Sequence, residues 1–91
     1  MTYRVRFSED AESNVVCLKR SEPQAYKKLV KLFVELQQHP TTGTGHPKPL
    51  GGDRPGQWSR RINEKHRLVY RIDEVELIVH ILSARGHYGD K

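Results

Sequence analysis

Cysteine and long apolar runs are scarce in this chain of 91 residues. Its one cysteine, Cys17, excludes an internal disulfide. Because Cys17 stands in an apolar helical pattern, we expect a small core residue rather than a nucleophile. No stretch approaches the roughly 20 apolar residues of a membrane-spanning helix, and the N-terminus lacks the apolar run of a signal peptide. We therefore expect a cytoplasmic protein without a membrane partner.

Several motifs that mark enzyme classes are also missing. The sequence has neither the glycine-rich phosphate loop of P-loop or Rossmann proteins nor the serine elbow of hydrolases. Its five histidines show none of the usual metal-ligand spacings, and no cysteine supports them. These histidines are His39, His46, His66, His80 and His87. We expect no metal site and no cofactor.

Positive charge is present in excess, with 16 Lys and Arg against 11 Asp and Glu and a formal net charge of +5. A basic surface attracts polyanions such as nucleic acid, and the attraction weakens as salt rises. The alternative is a charge that serves only solubility. The length allows one domain with a modest core, so we expect residues 1–91 to form a single domain.

Hydrophobic periodicity predicts the order strand, helix, helix, strand, strand, strand. Residues 3–7 alternate as in a half-buried strand, and Ser8 is placed to cap a helix that runs to about Lys19. A capping-box pattern from Ser21 predicts a second helix to about Gln38. The later strands are expected at 57–62, 66–72 and 75–83, with the last one central. Two helices on one face of a mostly antiparallel sheet make an α+β domain.

Residues 39–57 hold five of the seven glycines and four of the five prolines. A loop this long in a compact domain is usually functional or mobile. Because it follows a helix and precedes strands, we interpret it as part of the domain rather than as a linker between domains.

Arginines recur on the two strands that follow the loop. Alternation puts Arg61 on one face of its strand, and Arg67 and Arg71 on one face of the next. A hairpin can set one arginine from each strand side by side, and two guanidinium groups at close range form a phosphate site. The alternative is ordinary surface arginines paired with acids such as Glu9 or Glu64. The pattern leaves both open.

The last strand leads into Arg85-Gly-His-Tyr88. Histidine suits proton transfer near neutral pH, and a tyrosine can stack on a base or orient a phosphate. The alternative interpretation is a mobile polar tail.

Three stretches carry a family resemblance: Gly43-Thr-Gly-His-Pro-Lys-Pro-Leu50, Trp58-Ser-Arg-Arg-Ile-Asn-Glu-Lys-His-Arg-Leu-Val-Tyr70, and the ending His87-Tyr88. Together they resemble the Txe/YoeB toxins of the RelE/ParE superfamily, over nearly the whole chain. The resemblance implies a RelE-like fold and a type II toxin that binds the ribosomal A site and cuts mRNA there. It implies the ribosome, mRNA and a neutralising antitoxin as partners, and it allows a homodimer.

The same resemblance implies a chemistry. The RNA 2′-hydroxyl attacks the adjacent phosphate without a metal, which leaves a cyclic phosphate and a free 5′-hydroxyl. Arg67 matches the catalytic arginine, His87 matches the general acid, and Tyr88 would position His87 or the RNA. The residues expected to bind RNA phosphates are Arg60, Arg61, His46 and Arg85.

The loop departs from the family pattern, which usually has Pro-Glu-Pro with the glutamate as the proposed general base. This chain has Pro47-Lys48-Pro49. Lys48 acts through its charge as lysines do in the RelE branch, or His46 replaces the base, or the protein is a poor nuclease that still binds. A non-catalytic binding module and a ParE-type gyrase inhibitor are the competing functions.

Overall fold

Two helices and five strands make up the computed structural model, which describes residues 2–51 and 56–86. In chain order they are β1 (Arg4–Phe7), α1 (Glu9–Ser21), α2 (Pro23–Leu36), β2 (Lys48–Pro49), β3 (Gln57–Arg61), β4 (Arg67–Asp73) and β5 (Ile78–Ser83). The strands form one sheet in the order β1-β5-β4-β3-β2. β1 runs parallel to β5, and the other three pairs are antiparallel. The predicted α+β class with a mostly antiparallel sheet is confirmed.

The core is an apolar layer between the helices and one face of the sheet. The helices contribute residues at helical spacing, and the strands contribute alternate residues. Its buried members are Ala11, Leu18, Ala25, Leu29, Leu32, Leu36, Ile62, Leu68, Tyr70, Val79, Ile81 and Ala84. Full burial of one large aliphatic side chain contributes roughly 1.5–3 kcal/mol, so this layer supplies most of the stabilisation.

The start of α1 agrees with the sequence prediction, but the junction of the helices does not. The Ser8 hydroxyl oxygen accepts the N–H of Ala11 at 3.0 Å, as an N-cap does. Ser21 was predicted to cap α2, and this is wrong. Ser21 is the last residue of α1, where its hydroxyl donates to the Cys17 carbonyl at 2.7 Å. Cys17 is half-buried on the same helix surface, so its predicted core position is also wrong.

The β5 strand begins three residues later than predicted. Val75 was expected in the strand, but it lies in the preceding turn and is 92% exposed. The Asp73 side chain accepts the N–H groups of Val75 and Glu76 at 3.0 and 2.9 Å, a local pairing that competes with the strand ladder. Leu77 completes the turn with a φ of +57°. β5 was predicted to be central; it lies between β1 and β4, so it is an interior strand, but β4 is the middle one of the five.

A fully buried arginine, Arg60, joins the loop after α2 to the sheet. Each of its five N–H donors has an acceptor. Nε donates to the Tyr70 hydroxyl at 3.2 Å, Nη1 to Glu35 Oε1 at 3.0 Å and to the Thr44 carbonyl at 3.2 Å, and Nη2 to the carbonyls of His39 and Thr42. The Tyr70 hydroxyl in turn donates to the Pro40 carbonyl at 2.7 Å. Burial raises the pKa of Tyr70, which keeps this donor protonated.

The loop also meets the sheet through backbone contacts. Arg61 N–H donates to the Gly45 carbonyl at 2.7 Å. A Cβ on Gly45 would lie 2.7 Å from the Arg61 carbonyl oxygen, and Gly45 has a φ of +87°, so only glycine fits this approach. Three residues further on, β2 pairs with β3. The described part of the loop, residues 39–51, is therefore held against the sheet.

Replacement of Arg60 by methionine should destabilise the protein by about 3 kcal/mol or more, because Glu35 and the loop carbonyls would lose their donors. Arg61→Met, on the exposed neighbour in the same strand, should change the free energy of unfolding by less than about 0.5 kcal/mol. Urea unfolding followed by circular dichroism measures both values. Equal losses in the two variants would contradict the structural role of Arg60.

Candidate functional site

Basic side chains gather on the sheet face opposite the core. Arg61 and Arg67 are register partners across the β3–β4 pair, and Lys48 is the partner of Ser59 across the β2–β3 pair. Register partners in antiparallel strands share a face, with Cβ atoms about 4.5–5.5 Å apart. Since Ser59 and Arg61 are two residues apart on one strand, Lys48, Arg61 and Arg67 share that face. The predicted placement of one arginine from each strand side by side is confirmed.

An open cleft of about 450 Å³ lies beside Arg61 at the end of β3. His46, Lys28 and Glu64 are among the residues that line it. His46 has a φ of +52° and follows Gly45, whose contact with Arg61 brings this part of the loop to the cleft. Two cationic side chains and an imidazole beside one carboxylate favour an anion over an apolar ligand.

The structure separates Arg60 from these residues. Arg60 was predicted to bind RNA phosphate, but its side chain is fully buried and each N–H group is already donated within the protein. Alternation along β3 explains the difference, because Arg60 faces the core where Arg61 faces away. The guanidinium of Arg60 therefore has no donor left for a phosphate.

The chain leaves β5 along a fixed path. Ala84 N–H donates to Asn14 Oδ1 at 3.0 Å, and Gly86 N–H donates to His66 Nδ1 at 2.9 Å. Arg67 N–H donates to the Gly86 carbonyl at 2.8 Å. The segment that precedes His87 in the sequence thus lies beside the start of β4. His87 and Tyr88, predicted as general acid and positioning residue, lie outside the described residues.

His66 is a buried polar residue that the sequence interpretation did not assign to the site. The residue is 5% exposed, and its Nε2 lies 2.8 Å from Glu22 Oε2. This hydrogen bond is the main reason that the pKa of Glu22 lies below its usual range; desolvation opposes it, and the charges of Lys65 and Arg85 add to it. Arg85 itself is exposed, within electrostatic range of Glu22.

A larger cavity, about 610 Å³, runs along the outer surface of α1, where Val16, Cys17 and Glu12 are among its lining residues. Its lining residues belong to α1, whereas the basic face lies on β2, β3 and β4. Within residues 2–51 and 56–86, no three His, Cys, Asp or Glu side chains are grouped as metal ligands would be. Neither α1 nor α2 is long and apolar enough to cross a bilayer.

Comparison with known protein families gives a match across most of the chain. Residues 7–88 match the family described as YoeB-like toxin of bacterial type II toxin-antitoxin systems. The chain belongs to the YoeB toxin family. Among its relatives in this family, the toxin RelK of Mycobacterium tuberculosis is 39% identical over 84 residues, which covers 92% of this chain and 96% of the relative.

Solved structures of YoeB proteins share the fold. A YoeB dimer from Staphylococcus aureus superposes with a TM-score of 0.85 at 29% identity, over 97% of this chain and 100% of that one. A YoeB–YefM complex from the same organism superposes with a TM-score of 0.82 at the same identity and coverage. The predicted toxin family and RelE-like fold are therefore confirmed.

Within this YoeB-family fold, four of the six described residues of the predicted site lie near one another. Lys48, Arg61 and Arg67 lie on one face, and His46 lines the adjoining cleft. Lys28 of α2 also lines the cleft, and the sequence analysis gave it no role. Its Nζ lies 3.5 Å from the Ile62 carbonyl at the cleft. No local signal marked it, because the contact joins residues that are far apart in the sequence.

Acid should destabilise the protein through Glu22. A carboxyl group with a lowered folded-state pKa contributes stability above its unfolded pKa, near 4.3, and loses that contribution as pH falls through the folded value. The free energy of unfolding should therefore fall below about pH 4.3, and Glu22→Gln should show a smaller fall than wild type. Urea unfolding at a series of pH values tests this. An unchanged acid dependence in Glu22→Gln would contradict it.

Proposed function

We propose that this toxin is a ribosome-dependent endonuclease that cuts A-site mRNA by metal-independent attack of the 2′-hydroxyl on the adjacent phosphate. The observation that carries the proposal is the register pair of Arg61 and Arg67 on the face that also holds Lys48. The nucleophile of this reaction is the 2′-hydroxyl of the RNA itself. The protein must therefore align the attack, neutralise the crowded phosphate and protonate the leaving oxygen.

The two arginines suit the phosphate. Guanidinium groups bind phosphate through paired N–H donors, and neighbouring strands hold their Cβ atoms at close range. In this scheme Arg67 stabilises the charge that develops in the transition state, and Arg61 holds the phosphate. Arg85 adds a phosphate contact on the segment that leaves β5. The net charge of +5 attracts RNA over a longer range.

The proton donor in this scheme is His87, with Tyr88 to position it or the RNA. Support comes from the path of the chain, because His87 directly follows Gly86 and the Gly86 carbonyl accepts the backbone N–H of Arg67 at 2.8 Å. An imidazole gives or takes a proton near neutral pH, as general acid catalysis of this step requires.

The general base is the step where this chain departs from the family pattern. His46 lines the cleft beside Arg61, so its imidazole is a base candidate within the site. Lys48 shares a face with both arginines, where its ammonium group would stabilise phosphate charge rather than accept the proton. The lysine also favours a second candidate function, a basic module that binds ribosome-held RNA or an antitoxin with little catalysis.

We propose partners of three kinds. mRNA on the ribosome is the substrate complex, and a cognate antitoxin neutralises the toxin, as the likeness to the YoeB–YefM complex supports. The likeness to the YoeB dimer supports a homodimer. The reaction needs no cofactor, and the cytoplasm, where ribosomes translate, is the compartment in which it takes place.

Expression of the wild type should arrest growth and produce mRNA cuts at A-site codons, detected by primer extension. Arg67→Ala should lower cleavage by about 100-fold or more, since it removes a donor to the transition-state charge. His87→Ala should also abolish growth arrest. Arg71→Ala is the matched control, because Arg71 is an exposed arginine on the same face of β4 and pairs with Gln57. Cleavage that survives in both Arg67→Ala and His87→Ala would overturn the scheme.

Exchange of Lys48 for glutamate tests the role of the loop. Lys48→Glu should preserve or increase A-site cleavage if a carboxylate at this position serves as the base. His46→Ala should lower the cleavage rate less in the Lys48→Glu background than in the wild-type background. Loss of cleavage in Lys48→Glu would show instead that the charge of Lys48 has its own function. Cleavage rates measured on programmed ribosomes decide between these outcomes.

A further inference from the structure

The His66 ring is bound at both nitrogens, and the reaction scheme above does not use it. Gly86 N–H can only donate, so Nδ1, at 2.9 Å, must offer its lone pair. The ring proton of the neutral imidazole is therefore on Nε2, where it is donated to Glu22 Oε2 at 2.8 Å. The geometry thus assigns both the tautomer and the orientation of this ring.

Gly86 is held by two consecutive residues at the start of β4. Its N–H is bound by the side chain of His66, and its carbonyl accepts the backbone N–H of Arg67 at 2.8 Å. Gly86 has a φ of +77°, a conformation that L side chains rarely adopt. The N–H and the carbonyl of Gly86 are therefore both held close to Arg67. The next residue in the sequence is His87.

Glu22 binds the other nitrogen of the His66 ring and orients it. It stands at the junction of α1 and α2, where its N–H donates to the Leu18 carbonyl at 2.8 Å. Lys65 Nζ lies 3.8 Å from the other carboxylate oxygen, and Arg85 lies within electrostatic range. A carboxylate that binds the far nitrogen of an imidazole fixes its orientation, as it does for histidines that ligate metals.

We propose that His66 is a positioning residue, which fixes the backbone of Gly86, the residue before the proposed proton donor His87, relative to Arg67. This role rests on the proposed function, because it matters only if His87 supplies the proton. Displacement of a reacting group by about 1 Å can lower a rate by about 100-fold. The purely structural alternative is a buried histidine whose hydrogen bonds serve stability alone.

Two variants separate the two ring contacts. In His66→Asn the side-chain oxygen takes the place of Nδ1 and still accepts Gly86 N–H, while the contact to Glu22 is lost. In His66→Gln the amide nitrogen takes the place of Nε2 and still donates to Glu22, while Gly86 loses its acceptor. The stability of each variant, measured by urea unfolding, shows whether the two are equally folded.

The expected result is an asymmetry in the rate of A-site cleavage on programmed ribosomes. His66→Gln should lower kcat by about tenfold to 100-fold and leave KM within about threefold, because phosphate binding by Arg61 and Arg67 is untouched. His66→Asn should keep kcat within about threefold of wild type. Equal kcat losses in two equally stable variants would overturn the positioning role.

Amide hydrogen exchange measured by NMR gives a readout independent of activity. Gly86 N–H should be protected in wild type and His66→Asn, and should exchange at least about tenfold faster in His66→Gln. Ala84 N–H, which Asn14 holds, should not change and is the internal control. If His66→Gln does not fold, the NMR chemical shifts of the two ring nitrogens of His66 in the wild type still test the proposal. A ring proton on Nδ1 instead of Nε2 would overturn it.

The two proposals fail in different ways. Wild-type protein that cuts no ribosome-bound mRNA overturns the proposed function, and with it the role of His66, even if Gly86 N–H is protected. A wild type that cuts mRNA while Gly86 N–H exchanges freely overturns the positioning role alone.

Discussion

The buried guanidinium of Arg60 is the interaction on which the site depends. A charge taken out of water costs several kcal/mol unless its donors are satisfied, and here Glu35, Tyr70 and three loop carbonyls satisfy them. Although burial opposes ionisation, hydrogen bonds from Thr44 and the charge of Arg60 hold the pKa of Glu35 below its usual range. The loop that carries His46 and Lys48 is thereby fixed to the strand that carries Arg61.

The adjacent residues Arg60 and Arg61 have different environments because successive side chains of a strand point to opposite faces of the sheet. Arg60 organises the loop from inside, and Arg61 presents its charge on the other face, beside Arg67. At the other end of the site, Asn14, His66 and the backbone of Arg67 fix the chain as it leaves β5. Two segments therefore flank the basic face of β3 and β4, and each is held by a buried polar group.

Local sequence patterns predicted the order of every element except the short strand β2, and they predicted the arginine pair, because periodicity and alternation depend on near neighbours. They did not predict features that depend on long-range contacts. The burial of Arg60 depends on hydrogen-bond partners that lie 16 to 25 positions away in the sequence. His66 likewise binds Glu22, which is 44 positions away. Val75 was misplaced because an apolar residue in a turn is indistinguishable by composition from one in a strand.

Both edges of the sheet are poorly suited to pairing with an added strand. β2 is two residues long and ends in Pro49, which has no N–H to offer to an added strand. β1, at the opposite edge, has only four residues and carries Arg4 and Arg6. Both features oppose edge-to-edge polymerisation into larger sheets. A chain with these two edges should therefore accumulate without templating its own aggregation through strand pairing.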